Sequence, residues 1–96
     1  MDYLCSIAKV RLRIKSAAFD DTEIRPLIEA CLKDLARVGI AEASEEDPLV
    51  VQAVVLYCKA NFGFSDGQER YQAAYESLRD SMALSGDYGG DGNDVS

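Results

Sequence analysis

The residues of this chain that are able to do chemistry are carboxylates and thiols, because the sequence contains no histidine. Without histidine, the Ser-His and Cys-His pairs that activate a nucleophile cannot form. Asp20 and Asp21 are adjacent carboxylates that in principle share a metal ion or a proton. Asp20 also stands three residues before Glu23, however, which is the spacing of a helix capping box. Capping is the simpler interpretation, so the sequence predicts no catalytic residue and no enzymatic activity.

Two other features are typical of binding sites, but their context argues against a metal ion or a cofactor. Cys5, Cys31 and Cys58 lie far apart in the sequence, whereas zinc needs three or four clustered nitrogen or sulfur ligands. Their odd number argues against a disulfide framework, and their apolar neighbours indicate buried thiols. The glycine-rich segment 86–92 lacks the lysine, the preceding strand and the following helix of a phosphate-binding loop. We therefore expect no cofactor and no metal site.

Charge is unevenly distributed along the chain. Residues 1–40 hold seven Lys or Arg against six Asp or Glu, and residues 41–96 hold three against eleven. Such an acidic chain does not attract DNA through its overall field, because that attraction comes from cationic side chains. The basic residues cluster in one run, which we call the basic patch: Lys9, Arg11, Arg13 and Lys15. It alternates with aliphatic rather than aromatic residues, so it indicates a solvated face or a subunit contact more than base stacking.

The spacing of apolar residues predicts that these charges are carried by four helices. The first covers residues 2–14, although strict alternation over 9–15 is also compatible with a strand. The second begins near Asp20 and ends at Gly39, which is typical of a left-handed C-cap. Pro26 predicts a kink or a later start near Thr22, because proline disrupts a helix interior.

An acidic loop separates the second helix from the third. We call its charged residues the acidic patch: Glu42, Glu45, Glu46 and Asp47. Asp47 followed by Pro48 predicts an N-cap and a proline in the first helical position. The third helix, predicted over 48–62, has Lys59 as its single charged residue, so it is expected to be central and buried nearly all round.

The fourth helix is predicted to begin after Asp66 and to end near Leu84, with a narrow apolar stripe: Tyr71, Ala74, Tyr75, Leu78 and Met82. From residue 85 the chain is rich in glycine and acid, which predicts a disordered tail. The expected architecture is therefore an all-α bundle of about four helices over residues 1–84, followed by a flexible tail over 85–96. No membrane span or signal peptide is indicated, so a cytosolic protein is expected.

Four segments of the sequence resemble a known family. Residues 8–14 (AKVRLRI) are similar to the segment that opens the head–tail connector, or adaptor, proteins of long-tailed bacteriophages. Residues 19–31 (FDDTEIRPLIEAC) are similar to the block that follows, with Cys31 in place of a second small residue. Residues 47–63 resemble the third-helix block, and residues 71–88 resemble the C-terminal end. Each motif alone is weak, but their order and spacing together are specific.

The resemblance implies a subunit of a ring of about a dozen copies. Closed rings of this kind are built from head-to-tail contacts. Such rings dock under the portal protein after DNA packaging, complete the head and present a surface to the tail or a stopper protein. Family members are often labelled DNA-packaging proteins, although they carry no motor or nuclease residues. The resemblance thus places the protein in the virion, and in the host bacterial cytoplasm before assembly, with DNA passing through without sequence-specific binding.

The charge distribution fits a ring independently of the resemblance. In a head-to-tail contact, two different surfaces of one subunit meet, and complementary charge helps to align them. We expect the basic patch of one subunit to face the acidic patch of the next. Two alternatives stay open from the residues: a small cytosolic helical regulatory module acting as a dimer, and a DNA-binding domain that uses the basic patch, which the net charge of −7 disfavours.

Overall fold

The computed structural model describes residues 2–14, 20–40, 45–62 and 67–85, and within these ranges all regular secondary structure is helical. The four α-helices confirm the predicted all-α bundle: α1 (Asp2–Leu12), α2 (Arg25–Arg37), α3 (Pro48–Asn61) and α4 (Gln68–Ser85). A π-helical turn, Asp20–Ile24, leads into α2. The tail predicted from residue 85 lies outside the described residues except for Ser85, which ends α4. The division into a domain and a tail stays a prediction.

The end of α1 resolves the choice between helix and strand over residues 9–12. Residues 9–12 are helical, so the strand-like alternation is not used there. The helix ends as the amide of Ile14 donates to the carbonyl of Lys9 at 2.9 Å and Arg13 adopts a φ of 63°. This is the hydrogen bonding of a Schellman motif, with arginine in the left-handed position that glycine normally fills.

The π-helical turn explains how Pro26 is accommodated near the start of α2. The helical run begins at Asp20, as the sequence predicts, but the α-helical part begins only at Arg25. Pro26 therefore lies in the first turn of α2, at the junction with the π-helical turn, rather than in the interior of a regular α-helix. At the other end, Gly39 has a φ of 97° and the amide of Ile40 donates to Leu35 at 2.9 Å. The predicted glycine C-cap is confirmed.

Helix α3 is central, because it is the one described helix that packs closely on all three others. Its N-cap is confirmed: the Asp47 carboxylate accepts a hydrogen bond from the Leu49 amide at 2.8 Å. The expectation that α3 is buried nearly all round holds over residues 50–60, where Gln52 is the one exposed residue. Val50, Val54 and Cys58 are buried, whereas Leu49, in the first turn, is 45% exposed.

The core lies where α3 meets the other helices. The side chains buried in it are all hydrophobic, and Tyr75 of α4 is the largest of them. The three cysteines are buried thiols, as expected. Along α4, Tyr75 and Met82 are buried while Ala74 is exposed, so Ala74 does not belong to the packing stripe. Asp66, after which the fourth helix was predicted to begin, lies outside the described residues.

Candidate assembly surfaces and an interhelical polar cluster

The basic patch lies at the C-terminal end of α1. Arg11 and Arg13 are exposed, Lys9 is half-buried, and Lys15 lies outside the described residues. Lys9 and Arg11 fall in the last turn of the helix, where cations interact favourably with the helix dipole. The left-handed backbone of Arg13 costs about 1–2 kcal/mol relative to glycine. An exposed arginine kept in a strained position is a candidate for a role outside the fold.

The acidic patch directly precedes α3. Glu46 is exposed, Glu45 and Asp47 are half-buried, and Glu42 lies outside the described residues. Asp47 already serves the fold as the N-cap of α3, so its carboxylate is only partly available to another chain. Among the described residues, the structure therefore places the basic patch at the C-terminal end of α1 and the acidic patch directly before α3.

A polar cluster that joins α2 to α4 was not predicted from the sequence. The Oδ2 atom of Asp34 accepts hydrogen bonds from the Tyr75 hydroxyl at 2.7 Å and from the Arg79 guanidinium at 3.0 Å. Its Oδ1 atom accepts from Arg37, one turn further along α2. The Arg79 guanidinium also lies 5.7 Å from the Tyr75 ring centroid. Three donors thus converge on one carboxylate between two helices.

The electrostatics of the cluster keep Asp34 ionised. Partial burial favours the neutral carboxyl, but hydrogen bonds from Tyr75, Arg37 and Arg79 outweigh it and lower the pKa of Asp34 to about 2. Burial, reinforced by the hydrogen bond to Asp34, raises the pKa of Tyr75. The hydrogen bond to Asp34 also raises the pKa of Arg79. A carboxylate and a guanidinium with such shifts act as a fixed ion pair, and neither suits proton transfer near neutral pH.

Two buried groups adjoin the cluster. The Sγ atom of Cys31 lies 3.9 Å from the Tyr75 hydroxyl and 4.0 Å from the Ala53 carbonyl oxygen. Burial raises the pKa of Cys31 to about 12, so the group is a neutral thiol and a poor nucleophile. The rings of Tyr57 and Tyr75 meet edge to face, with centroids 5.1 Å apart. These contacts extend the cluster into the core and make it a structural tie.

An open groove of about 560 Å³ runs beside the cluster, between α2 and α4. Its polar lining includes both signs of charge: Lys33, Arg37, Glu76 and Arg79. Sequence patterning missed this arrangement because Asp34 and Arg79 each look like ordinary solvated residues. The available signal was their position on the helices. Asp34 adjoins the core residue Leu35, and Arg79 adjoins Leu78, a partly buried residue that packs against the core.

Neither a metal site nor a membrane span is present in the described residues. In the part of the chain that the structure describes, no group of three or more acidic, cysteine or histidine residues is able to hold a metal ion. No helix within the described ranges has the length and apolar character needed to cross a bilayer.

The described residues define a small helical bundle in which a polar cluster joins α2 to α4 and in which Arg11, Arg13 and Glu46 are exposed. A family model described as Phage connector protein matches residues 4–89 of the chain. The match covers most of the 96 residues, so the chain belongs to the phage connector protein family. This family is structural rather than catalytic. No curated protein and no solved structure matched the chain.

Proposed function

We propose that the protein is the repeating subunit of a head–tail connector ring, which docks under the portal after DNA packaging and bridges to the tail or a stopper protein. The observation that carries this proposal is the family match over residues 4–89. The resemblance implies about a dozen copies. They would be joined head to tail, because a heterologous contact whose rotation closes generates a ring. On this proposal the protein has no enzymatic activity. It is present in the host bacterial cytoplasm before assembly and in the virion afterwards.

The position of the two charged patches on different elements is compatible with a head-to-tail contact. Arg11 and Arg13 are exposed at the end of α1, and Glu46 is exposed before α3. In a head-to-tail contact, the basic patch of one subunit is able to meet the acidic patch of its neighbour. Charge complementarity of this kind mainly sets orientation and excludes wrong contacts. The net charge of −7 also disfavours adhesion of passing DNA, since attraction to phosphate depends on cationic side chains.

The proposal is tested by measuring the mass of the purified protein in solution over a wide concentration range, alone and with the portal protein. Sedimentation velocity reports the mass, and negative-stain images report the shape. The expected result is a closed ring of about a dozen copies, formed alone or on the portal. A protein that stays a monomer or closes as a dimer in both conditions would contradict the proposal and favour the dimeric regulatory module.

A further inference from the structure

The open groove between α2 and α4 is bordered by one face of each helix. Its lining residues are three or four positions apart on both walls, over residues 30–37 of α2 and 72–79 of α4. Tyr57 of α3, the helix on which both walls pack, completes the lining. The space of about 560 Å³ between the walls lies within the range of about 300–1,000 Å³ that is typical of ligand sites.

The exposed charge of the groove is positive. Three cations line it against two carboxylates, in a chain whose net charge is −7. Both carboxylates accept hydrogen bonds within the groove: Asp34 accepts from three donors, and Glu76 accepts from Gln72 at 2.9 Å. Lys33 is exposed, and the side chain of Arg37 is 68% exposed. The groove therefore offers positive charge to an acidic partner.

The segment of the chain whose chemistry fits this groove follows α4, and we call it the acidic tail: residues 86–96. It contains three aspartates and no lysine or arginine. Its four glycines have no side chain, so its backbone is able to approach the two walls closely. Tyr88 supplies an aromatic ring able to pack against the half-buried Tyr57.

The other charged segments of the chain fit the groove less well. The basic patch would bring Arg11 and Arg13 beside Lys33 and Arg37, so that like charges would meet. The acidic patch is attached to α3 through the cap that Asp47 forms, so it does not supply a free acidic strand. Charge thus favours the acidic tail over both patches.

The course of α4 favours the tail of a neighbouring copy over the tail of the same chain. Arg79 is the last α4 residue in the lining, and α4 continues to Ser85, about 9 Å further along the helix axis. A tail that entered the groove of its own chain would have to reverse direction and return over that distance. The eleven residues of the tail span up to about 36 Å when extended, which is long enough to cross a subunit boundary.

We infer that the groove between α2 and α4 of one copy binds the acidic tail of the next copy in the ring. The inference rests on the proposed function and deepens it by naming a contact between subunits. Groove and tail are different surfaces of one subunit, so the contact is head to tail. The aspartates of the tail lie against Lys33 and Arg37. Because exposed ion pairs contribute little to affinity, charge selects the tail and the packing of Tyr88 against Tyr57 adds to the attraction.

The test joins groove and tail by a disulfide. The crosslinking pair is Ala30→Cys with Asp91→Cys in one chain, and the matched control is Ala36→Cys with Asp91→Cys. Ala30 lines the groove and Ala36 does not, although both are exposed on α2. Ala30→Cys with Asp87→Cys repeats the measurement at a second point of the tail. The three native cysteines are buried, so they compete little for the oxidant.

All variants are first compared with the wild type by circular dichroism, thermal melting and sedimentation velocity. A thiol oxidant is then added at a concentration at which the wild type assembles, with the portal protein present if the wild type needs it. After the remaining thiols are blocked, the proteins are separated by mass under denaturing conditions without reductant. The crosslinking pair should give covalent dimers, trimers and larger multiples at a yield at least tenfold above the control. Below the assembly concentration these multiples should disappear.

Lys33→Glu, added to the crosslinking pair, tests the part played by charge. It reverses an exposed cation of the groove and should lower the yield of multiples about threefold at low salt, with a smaller effect at high salt. A yield that stays the same at low salt would overturn the charge recognition on which the inference rests.

Each other outcome also overturns the inference. A crosslinked product of monomer mass, whose faster migration is reversed by reductant, would place the tail in the groove of its own chain. A covalent product with the portal protein would assign the tail to the portal contact. Rings of wild-type size without crosslinks above the control would show that the groove does not hold the tail, while the connector ring stands. If the wild type assembles neither alone nor with the portal protein, the proposed function fails together with the inference.

Discussion

The hydroxyl of Tyr75 on α4 donates a 2.7 Å hydrogen bond to Oδ2 of Asp34 on α2, joining two positions 41 residues apart. The same carboxylate accepts from Arg79, and both partners of that ion pair have side chains only 18% exposed. Because α2 and α4 otherwise meet mainly through α3, this carboxylate is the principal polar tie between them in the described structure.

The first prediction concerns the strength of this tie. Tyr75→Phe should lower the free energy of unfolding by about 1 kcal/mol, since it removes one hydrogen bond and keeps the ring. Asp34→Ala should cost about 2–3 kcal/mol, because it leaves three donors without their acceptor. Urea unfolding followed by circular dichroism measures both values. Glu29→Ala, at an exposed position of α2, is the control and should change stability by less than about 0.5 kcal/mol. Equal stability of the wild type and all three variants would show that the hydrogen bonds of Asp34 do not stabilise the fold.

The second prediction is a dependence of stability on pH that comes from Asp34. Its pKa falls from 3.8 to about 2 on folding, so its ionised form stabilises the folded state. The sign follows from linkage: this stabilisation is present above the unfolded-state pKa and is lost as the pH falls from about 4 toward 2. We expect the loss of about 1–2 kcal/mol over this window.

Asp34→Asn is the control for the pH dependence, since its side chain has no charge to titrate. The free energy of unfolding should fall less steeply between pH 4 and pH 2 in this variant than in the wild type, and the two curves should approach each other at low pH. Parallel curves over the whole range would show that other carboxylates govern acid unfolding.

The third prediction concerns the strained end of α1. Arg13 has a φ of 63°, so Arg13→Gly should raise the free energy of unfolding by about 1 kcal/mol. Gly39→Ala is the matched opposite change, at a φ of 97° with no atom close enough to oppose the new methyl group, and should lower stability by about 1 kcal/mol. Thermal melting measures both. A variant Arg13→Gly that is more stable yet assembles less well would show that the arginine serves assembly at the expense of the fold.

The fourth prediction tests the central place of α3. Val54 is 1% exposed, so Val54→Asp buries an unpaired charge and should prevent folding, at a cost of several kcal/mol. Gln52→Asp places the same residue on an exposed position of the same helix and should leave the fold intact. Circular dichroism and melting temperature separate the two cases. A folded Val54→Asp protein with the melting temperature of the wild type would refute the central placement.

The helices and their ends were predictable because local physics dictates them. Gly39 and the pair Asp47–Pro48 mark helix ends through backbone geometry that few other residues satisfy, and both are confirmed. The π-helical turn before Arg25 was not predicted, since the sequence shows only that Pro26 must avoid a helix interior. A kink, a later start and a wider turn all satisfy that requirement, and tertiary packing chooses among them.

The polar cluster and the exposed apolar surfaces could not be predicted in the same way. Asp34 and Arg79 are 45 residues apart, and their pairing depends on how α2 and α4 are placed around α3. Leu49 and Val10 fit an apolar pattern as well as Val50 does, because periodicity identifies apolar residues without showing which neighbours cover them. On the short helix α1, Leu4 is buried and Val10 is 73% exposed, and only the packed structure shows which of the two faces the core.

The last prediction concerns the charged patches and the salt dependence of assembly. Arg11 and Arg13 are exposed at the end of α1, and reversing both to Glu should weaken ring formation at low salt, since like charges would then face Glu46 of the neighbour. The effect should shrink at high salt, where the Debye length falls to about 3 Å at 1 M. Exposed pairs contribute only about 0–1 kcal/mol each, so the wild type should keep most of its assembly at high salt through apolar contacts. Sedimentation at both salt concentrations measures this.

A mixing experiment identifies the partner of the basic patch. A second protein keeps Arg11 and Arg13 but carries Glu45→Lys and Glu46→Lys. Mixing it with the reversed protein should restore the contact between the two if these patches meet. Equal assembly of the reversed and wild-type proteins at low salt would remove the basic patch from the mechanism, and failure of the mixture to recover would show that its partner is a surface other than the acidic patch.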